Sequence, residues 1–211
     1  FNGHPDAVKI PRDALMEDPR FASSGYYRRI NAVTAVEAVT RDGLLDRETA
    51  LEALCSFPGV ERRMCLRAVG EKQLLIEDYA HHPTELAASL KTMRELYPGR
   101  RLVVIFQPHR YARLKQYFHE FARELAKADE VFVTPVFAAW TQSDTLDSPD
   151  LARAVGDRAH FICGTWESMA EQVSASLKEN DLAAVIGAGD IKEIIAPLRR
   201  RIIRIPDLGL V

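Results

Sequence analysis

The stretch Leu74-Leu75-Ile76-Glu77-Asp78-Tyr79-Ala80-His81-His82-Pro83-Thr84-Glu85 passes from an apolar run into a polar turn and then into a helix start. A short apolar run closed by such a cluster reads as a buried strand. The residues after it, Leu86, Leu90, Met93 and Leu96, recur at the spacing of one helix face. The unit is therefore strand, polar turn, helix, with the strand over Gln73–Asp78 and the helix over Thr84–Leu96.

The same unit repeats downstream. Strands are predicted at Leu102–Phe106, Val131–Thr134, His160–Cys163 and Leu182–Ile186. Helices are predicted at Tyr111–Lys127, Ser148–Val155, Trp166–Lys178 and Ile191–Arg200, with breakers at Tyr97-Pro98-Gly99 and Glu179-Asn180-Asp181. Strands that alternate with helices call for crossover connections, and those build a parallel sheet covered on both faces. The fold class is thus α/β, a Rossmann-like, mostly parallel sheet. Upstream the texture differs. Residues 1–24 lack periodicity and read as an irregular lead-in. A helix from Gly25 carries Ile30, Val33, Val36 and Val39 and breaks at Asp42-Gly43, and a second spans Asp46–Cys55. Residues 1–70 read as two helices with connections, too little to close a core alone, and 71–211 as the α/β domain. The tail segment Ile202-Ile203-Arg204-Ile205 is a candidate edge strand.

Composition narrows the function classes. With 211 residues, 47% of them apolar, the chain can bury a sizeable core. A net charge of −2 supplies no basic field for nucleic acid. No run approaches the ~20 apolar residues of a membrane span. Cys55, Cys65 and Cys163 fit neither a disulfide framework nor a zinc motif, which suits reduced thiols in a cytoplasm. The chain opens at Phe1 without a signal-peptide pattern and reads as part of something longer.

Ligands of open parallel sheets bind beyond the carboxyl ends of the strands, and the polar clusters fall there. Asp78–His82 follows the first strand and Gln107-Pro108-His109-Arg110-Tyr111-Ala112-Arg113 the second. Phe137–Asp144 forms a long loop after the third, and Gly187-Ala188-Gly189-Asp190 follows the last. Arg110 and Arg113 stand three apart at a helix start, where they can hold a carboxylate or phosphate bidentately or pair with acidic neighbours. His81 and His82 admit three readings: metal ligands, acid–base groups, or positioning groups. Metal is the poorest, because adjacent histidines point apart and no partner shows ligand spacing. Asp78 can accept ribose hydroxyls or cap the next helix. The Gly187–Asp190 segment is either a phosphate loop or a tight turn, and Asp190 would repel a phosphate there.

DYAHHPTE (78–85), FQPHRYAR (106–113) and Gly187-Ala188-Gly189-Asp190-Ile191 together resemble the C-terminal domain of the Mur ligases. Gly59-Val60-Glu61-Arg62-Arg63 is similar to the arginine motif that ends the family's central domain, and Asn31-Ala32 to its helix motif. The resemblance covers residues 25–200 and lies nearest the members that join L-alanine to UDP-N-acetylmuramate in peptidoglycan synthesis. It implies a cytoplasmic ATP-dependent ligase with Mg2+, in which ATP and metal are bound mainly by a central domain and the UDP-sugar by an N-terminal one. It implies Tyr79, His81, Arg110 and Arg113 around alanine. Asp78 would meet the ATP ribose, Arg62 or Arg63 the nucleotide, and Asn31 the adenine. Two departures stand out: Tyr27-Arg28 replace the family's His-Asn pair, and Trp140-Thr141 replace small and acidic residues. The N-terminal domain and the phosphate loop are not encoded in this chain, so it is expected to be inactive alone. The alternative is a stand-alone, degenerate module that binds an amino acid, a nucleotide or a partner without catalysis.

Overall fold

A computed structural model describes residues 25–70, 73–140 and 145–203 of the protein. The lead-in 1–24, part of the long loop (141–144) and the tail beyond 203 lie outside the described residues. The described chain divides into two compact units, one made by residues up to Gly59 together with Lys91–Leu96, the other by Val60–Leu90 and the residues from Tyr97 on.

In the first unit α1 (Tyr26–Arg41) and α2 (Arg47–Ser56) pack through Val33, Val36, Ala50 and Leu51. Asp46 caps α2, its carboxylate accepting the Thr49 N–H at 3.0 Å. Both helices lie where the apolar periodicity predicts them.

The second unit is a six-stranded sheet. Its strands are β1 (Cys65–Val69), β2 (Leu74–Asp78), β3 (Arg101–Phe106), β4 (Glu130–Val133), β5 (Ala159–Phe161) and β6 (Asp181–Ile186), in the order β1-β2-β6-β3-β4-β5. All neighbours are parallel except β1, which runs antiparallel to β2. Five of the six strands match the sequence reading to within a few residues. β1 does not: that reading places only helices and connections before Gln73. Along β1 only Ala68 is buried, while Leu66 and Val69 are 50% and 61% exposed, so an edge strand left no hydrophobic pattern to find.

Alternation along the strands supplies two apolar faces. Leu75, Val103, Ile105, Ala183 and Val185 pack with Met169, Ala170 and Val173 of α7 (Trp166–Ser176) and with Leu198 and Ile202 of α8 (Ile195–Ile202). Phe106, on the opposite face, meets Phe121 of α5 (Phe118–Leu125) with ring centroids 5.4 Å apart. Helices therefore cover both faces, as the parallel reading requires. The remaining helices are α3 (Pro83–Leu96), α4 (Tyr111–Gln116) and α6 (Ser148–Val155). The single helix expected over Tyr111–Lys127 is broken at Tyr117, whose φ of −118° leaves the helical region and whose ring sits edge-on to His82 at 4.6 Å. The last helix begins as a 3-10 turn over Asp190–Ile194. Ile202 ends α8 inside the core and does not enter an edge strand; Arg204 and Ile205 fall outside the described residues.

Candidate functional site

The parallel register aligns Asp78 with Ile186 and Ile186 with Phe106, so the turns after β2, β6 and β3 open on the same sheet edge. Phe106 in turn pairs with Val133, which brings the segment after β4 alongside. An isolated parallel bridge between His109 and Phe137 joins those last two segments. Sheet register alone therefore gathers every polar cluster of the second unit.

Asp78 is 1% exposed, and both its oxygens are occupied. Oδ1 accepts the Ala80 N–H and the Ser89 hydroxyl, each at 2.9 Å, and Oδ2 accepts the Met64 N–H at 2.9 Å. Burial pushes its carboxyl above the usual range, and these donors pull it back. In this arrangement the carboxylate organises the turn, with three protein donors already on its two oxygens. Arg62 is similarly committed. Its Nε donates to buried Glu77 at 2.7 Å, and its terminal nitrogen donates to the Gly187 and Gly189 carbonyls at 2.9 and 3.3 Å. Arg67 donates to the other Glu77 oxygen at 2.6 Å. Arg63, by contrast, keeps a third of its side chain exposed beside Glu85, 3.5 Å away. Tyr79 meets both arginines, whose guanidinium carbons stand 4.8 and 5.5 Å from its ring centroid.

The glycine segment is a tight turn. Gln107, 3% exposed, donates to Asp190 at 2.7 Å and accepts the Ile191 N–H at 3.1 Å. A Cβ at Gly189 would stand 2.4 Å from the Gln107 Oε1 and 2.5 Å from Phe137 Cγ, so this position has no room for a side chain. With the carbonyls of Gly187 and Gly189 turned to Arg62 and an acidic residue at its end, the segment does not fit a polyphosphate. Nor, among the described residues, do three His, Cys, Asp or Glu side chains gather as a cation would need. Of the groups on this edge, Arg63 and Tyr79 are the ones left partly open to flank a nucleotide. Asn31 is exposed on α1, in the other unit.

The remaining residues form a distinct cluster. Arg110 occupies the cap of α4 with φ +70°, and its N–H donates to the Phe137 carbonyl at 2.9 Å. Its guanidinium lies 4.7 Å from the ring of Trp140, a side chain 82% exposed, and its Nε is buried without a hydrogen-bond partner. Arg113 meets the Nδ1 of His109 at 3.2 Å. Among the described residues neither arginine faces a carboxylate. His109 stacks on Phe137 at 5.4 Å and stands edge-on to His81 at 5.7 Å. Burial first, then Arg113, His81 and Arg110, lower its pKa to about 4. His81 faces two acceptors through Nδ1, the Tyr79 carbonyl at 3.0 Å and Glu85 at 3.3 Å, so that nitrogen carries a proton and Nε2 is an acceptor in the neutral ring. His82 accepts the Thr84 N–H at 3.3 Å and serves the helix start.

Tyr79, His81, Arg110 and Arg113 are thus brought to one edge, with Arg63 beside Tyr79. His109 belongs to the same cluster but was not singled out in the sequence, although its four-residue spacing to Arg113 was a usable signal. Arg110 and Arg113, beside a neutral imidazole and with no carboxylate facing either of them among the described residues, suit an anion, and a carboxylate matches the fork of a guanidinium.

Among family models, the one described as "Mur ligase, glutamate ligase domain" matches residues 62–189. The chain is 38% identical over 172 residues to a UDP-N-acetylmuramate--L-alanine ligase of Desulforapulum autotrophicum, covering 80% of this chain and 38% of that protein. It is 36% identical over 190 residues to the enzyme of the same name from Mycolicibacterium gilvum, covering 86% and 40%. The solved UDP-N-acetylmuramate-alanine ligase of Thermotoga maritima superposes with a TM-score of 0.65 at 31% identity, covering 84% of this chain and 38% of that one. The chain spans about two fifths of the length of the curated relatives it matches. No helix among the described residues is long and apolar enough to cross a membrane.

Proposed function

The chain belongs to the Mur ligase family, and from that premise we propose that it is the C-terminal portion of an ATP-dependent ligase that joins L-alanine to UDP-N-acetylmuramate in peptidoglycan synthesis. The helical unit corresponds in this reading to the end of a central, ATP-binding domain, and the sheet unit to the C-terminal domain. ATP, Mg2+ and the UDP-sugar are held mainly by parts of the enzyme outside this chain, in the cytoplasm. ATP supplies the activation of the sugar carboxylate. What this chain supplies is the place of the incoming amino acid.

The observation that carries the reading is the pair Arg110 and Arg113, without a facing carboxylate among the described residues and with the Arg110 Nε buried and unpartnered. An amino acid brings the missing anion. Its carboxylate would be held by the two arginines, with Tyr79 and His81 flanking, and the free Nε2 lone pair of His81 suits the ammonium end. Such a clamp works by orientation: it converts a bimolecular attack into a positioned one and adds no new chemistry. Arg62 and Asp78 act in this reading as supports of the turn, and Arg63 as the residue left to flank a nucleotide. The test is alanine-dependent ADP release by the native protein that carries this chain, with UDP-N-acetylmuramate as acceptor. Release that requires both alanine and the sugar is expected. A native protein that encodes no phosphate loop, or that gives no such release, overturns the proposal.

A further inference from the structure

The contact between Arg113 and His109 holds more information than an ordinary side-chain bond. A guanidinium has only donors, so the His109 Nδ1 at 3.2 Å must accept. A neutral imidazole that accepts at Nδ1 carries its proton at Nε2. Among the described residues no group takes that Nε2–H, nor is it a buried atom without a partner. The ring itself is held from three sides: by Arg113 in the first turn of α4, by stacking on Phe137 after β4, and by the edge of His81 after β2.

We propose that His109 is a third, neutral donor of the carboxylate site, its Nε2–H binding the same anion that Arg110 and Arg113 hold. It is a substrate-binding residue and not the base that takes the amine proton, because the ring nitrogen left without a protein partner already carries one. The surroundings agree. Burial of the ring and the guanidinium groups of Arg113 and Arg110 disfavour a second proton on it, so the donor stays neutral across the physiological range. The three donors differ in kind: two cationic forks supply attraction, and the imidazole supplies a single directed bond that fixes the carboxylate plane. The inference rests on the amino-acid reading of the site and adds a residue to it.

Two measurements test it. The first is long-range 15N–1H correlation on the His109 ring in this chain near neutral pH. A protonated Nε2 with an unprotonated Nδ1 is expected; a protonated Nδ1 overturns the proposal. The second compares His109→Gln with His109→Phe in the native protein. Glutamine can place an amide donor near the position of Nε2, whereas phenylalanine keeps the stacking and loses the donor. His109→Phe is expected to raise the alanine KM about tenfold with kcat little changed, the size of one lost hydrogen bond, and His109→Gln to recover most of it. A fall in kcat at unchanged KM, equal in both variants, would assign a base and overturn the proposal. The tautomer reads out whether or not the native protein ligates alanine, so failure of the ligase reading and failure of the His109 assignment are distinguishable.

Discussion

Replacing Gly189 by alanine probes the joint between fold and site. The backbone there has φ −85°, outside the left-handed region, and the contacts set the scale of the cost. The new methyl would stand 2.4 Å from Gln107 Oε1, 2.5 Å from Phe137 Cγ and 2.7 Å from its Cβ. Gln107 cannot swing away cheaply, since the same oxygen accepts the Ile191 N–H at 3.1 Å and the amide donates to Asp190 at 2.7 Å. Overpacking of this kind costs about 1–3 kcal/mol. Stranding the buried Ile191 N–H would add about 1–3 kcal/mol, so a total of ~2–6 kcal/mol is expected. Phe137 must also yield, and it carries both the stacking surface of His109 and the acceptor of the Arg110 N–H. Urea unfolding followed by circular dichroism measures the loss. Gln107→Ala in the same background removes one of the two obstacles, so the double variant should be less unstable than the sum by about 1 kcal/mol or more. A Gly189→Ala protein within about 0.5 kcal/mol of wild type would refute the reasoning, as would strict additivity with Gln107→Ala.

Two further outcomes follow from the charges. Glu77→Ala leaves Arg62 and Arg67 without their shared carboxylate, and since both arginines remain partly solvated the expected cost is about 2–4 kcal/mol in the same urea assay. His109 has a native pKa of about 4, below its unfolded value near 6.5, so the unfolded chain takes up a proton that the native ring refuses. Stability should therefore fall as pH drops from about 6.5 toward 4, by ~1 kcal/mol after solvent screening of this half-buried ring, and His109→Phe should remove that slope.

The sheet was legible because buried parallel strands are nearly continuous apolar runs, as in Leu102–Phe106 and Leu182–Ile186. The site's position was legible for the same reason: once the strands are parallel, the turns that follow them share an edge. What stayed hidden depends on distant partners. Arg62 meets the glycine turn across 125 and 127 residues, and Asp78 spends its oxygens on Met64 and Ser89, 14 and 11 residues away. Their place in a motif marks both as ligand-binding candidates, and what it does not reveal is that in the fold they also hold the motif together. β1 escaped because an edge strand with its leucine and valine exposed carries neither a two-residue nor a helical period. His109 escaped because its spacing to Arg113 shows only that the two can meet, while its tautomer depends on the contact they make in the fold.

The claim at the centre of the account is that Arg110 and Arg113 receive the carboxylate of the incoming amino acid. The most direct measurement is the steady-state kinetics of alanine for Arg113→Ala in the native, full-length protein, with ATP and UDP-N-acetylmuramate saturating. Loss of a charged partner of the carboxylate should weaken alanine use by ~2–4 kcal/mol, roughly 30- to 1000-fold in kcat/KM, with much smaller changes for the other two substrates. Normal alanine kinetics in Arg113→Ala and in Arg110→Ala would contradict it.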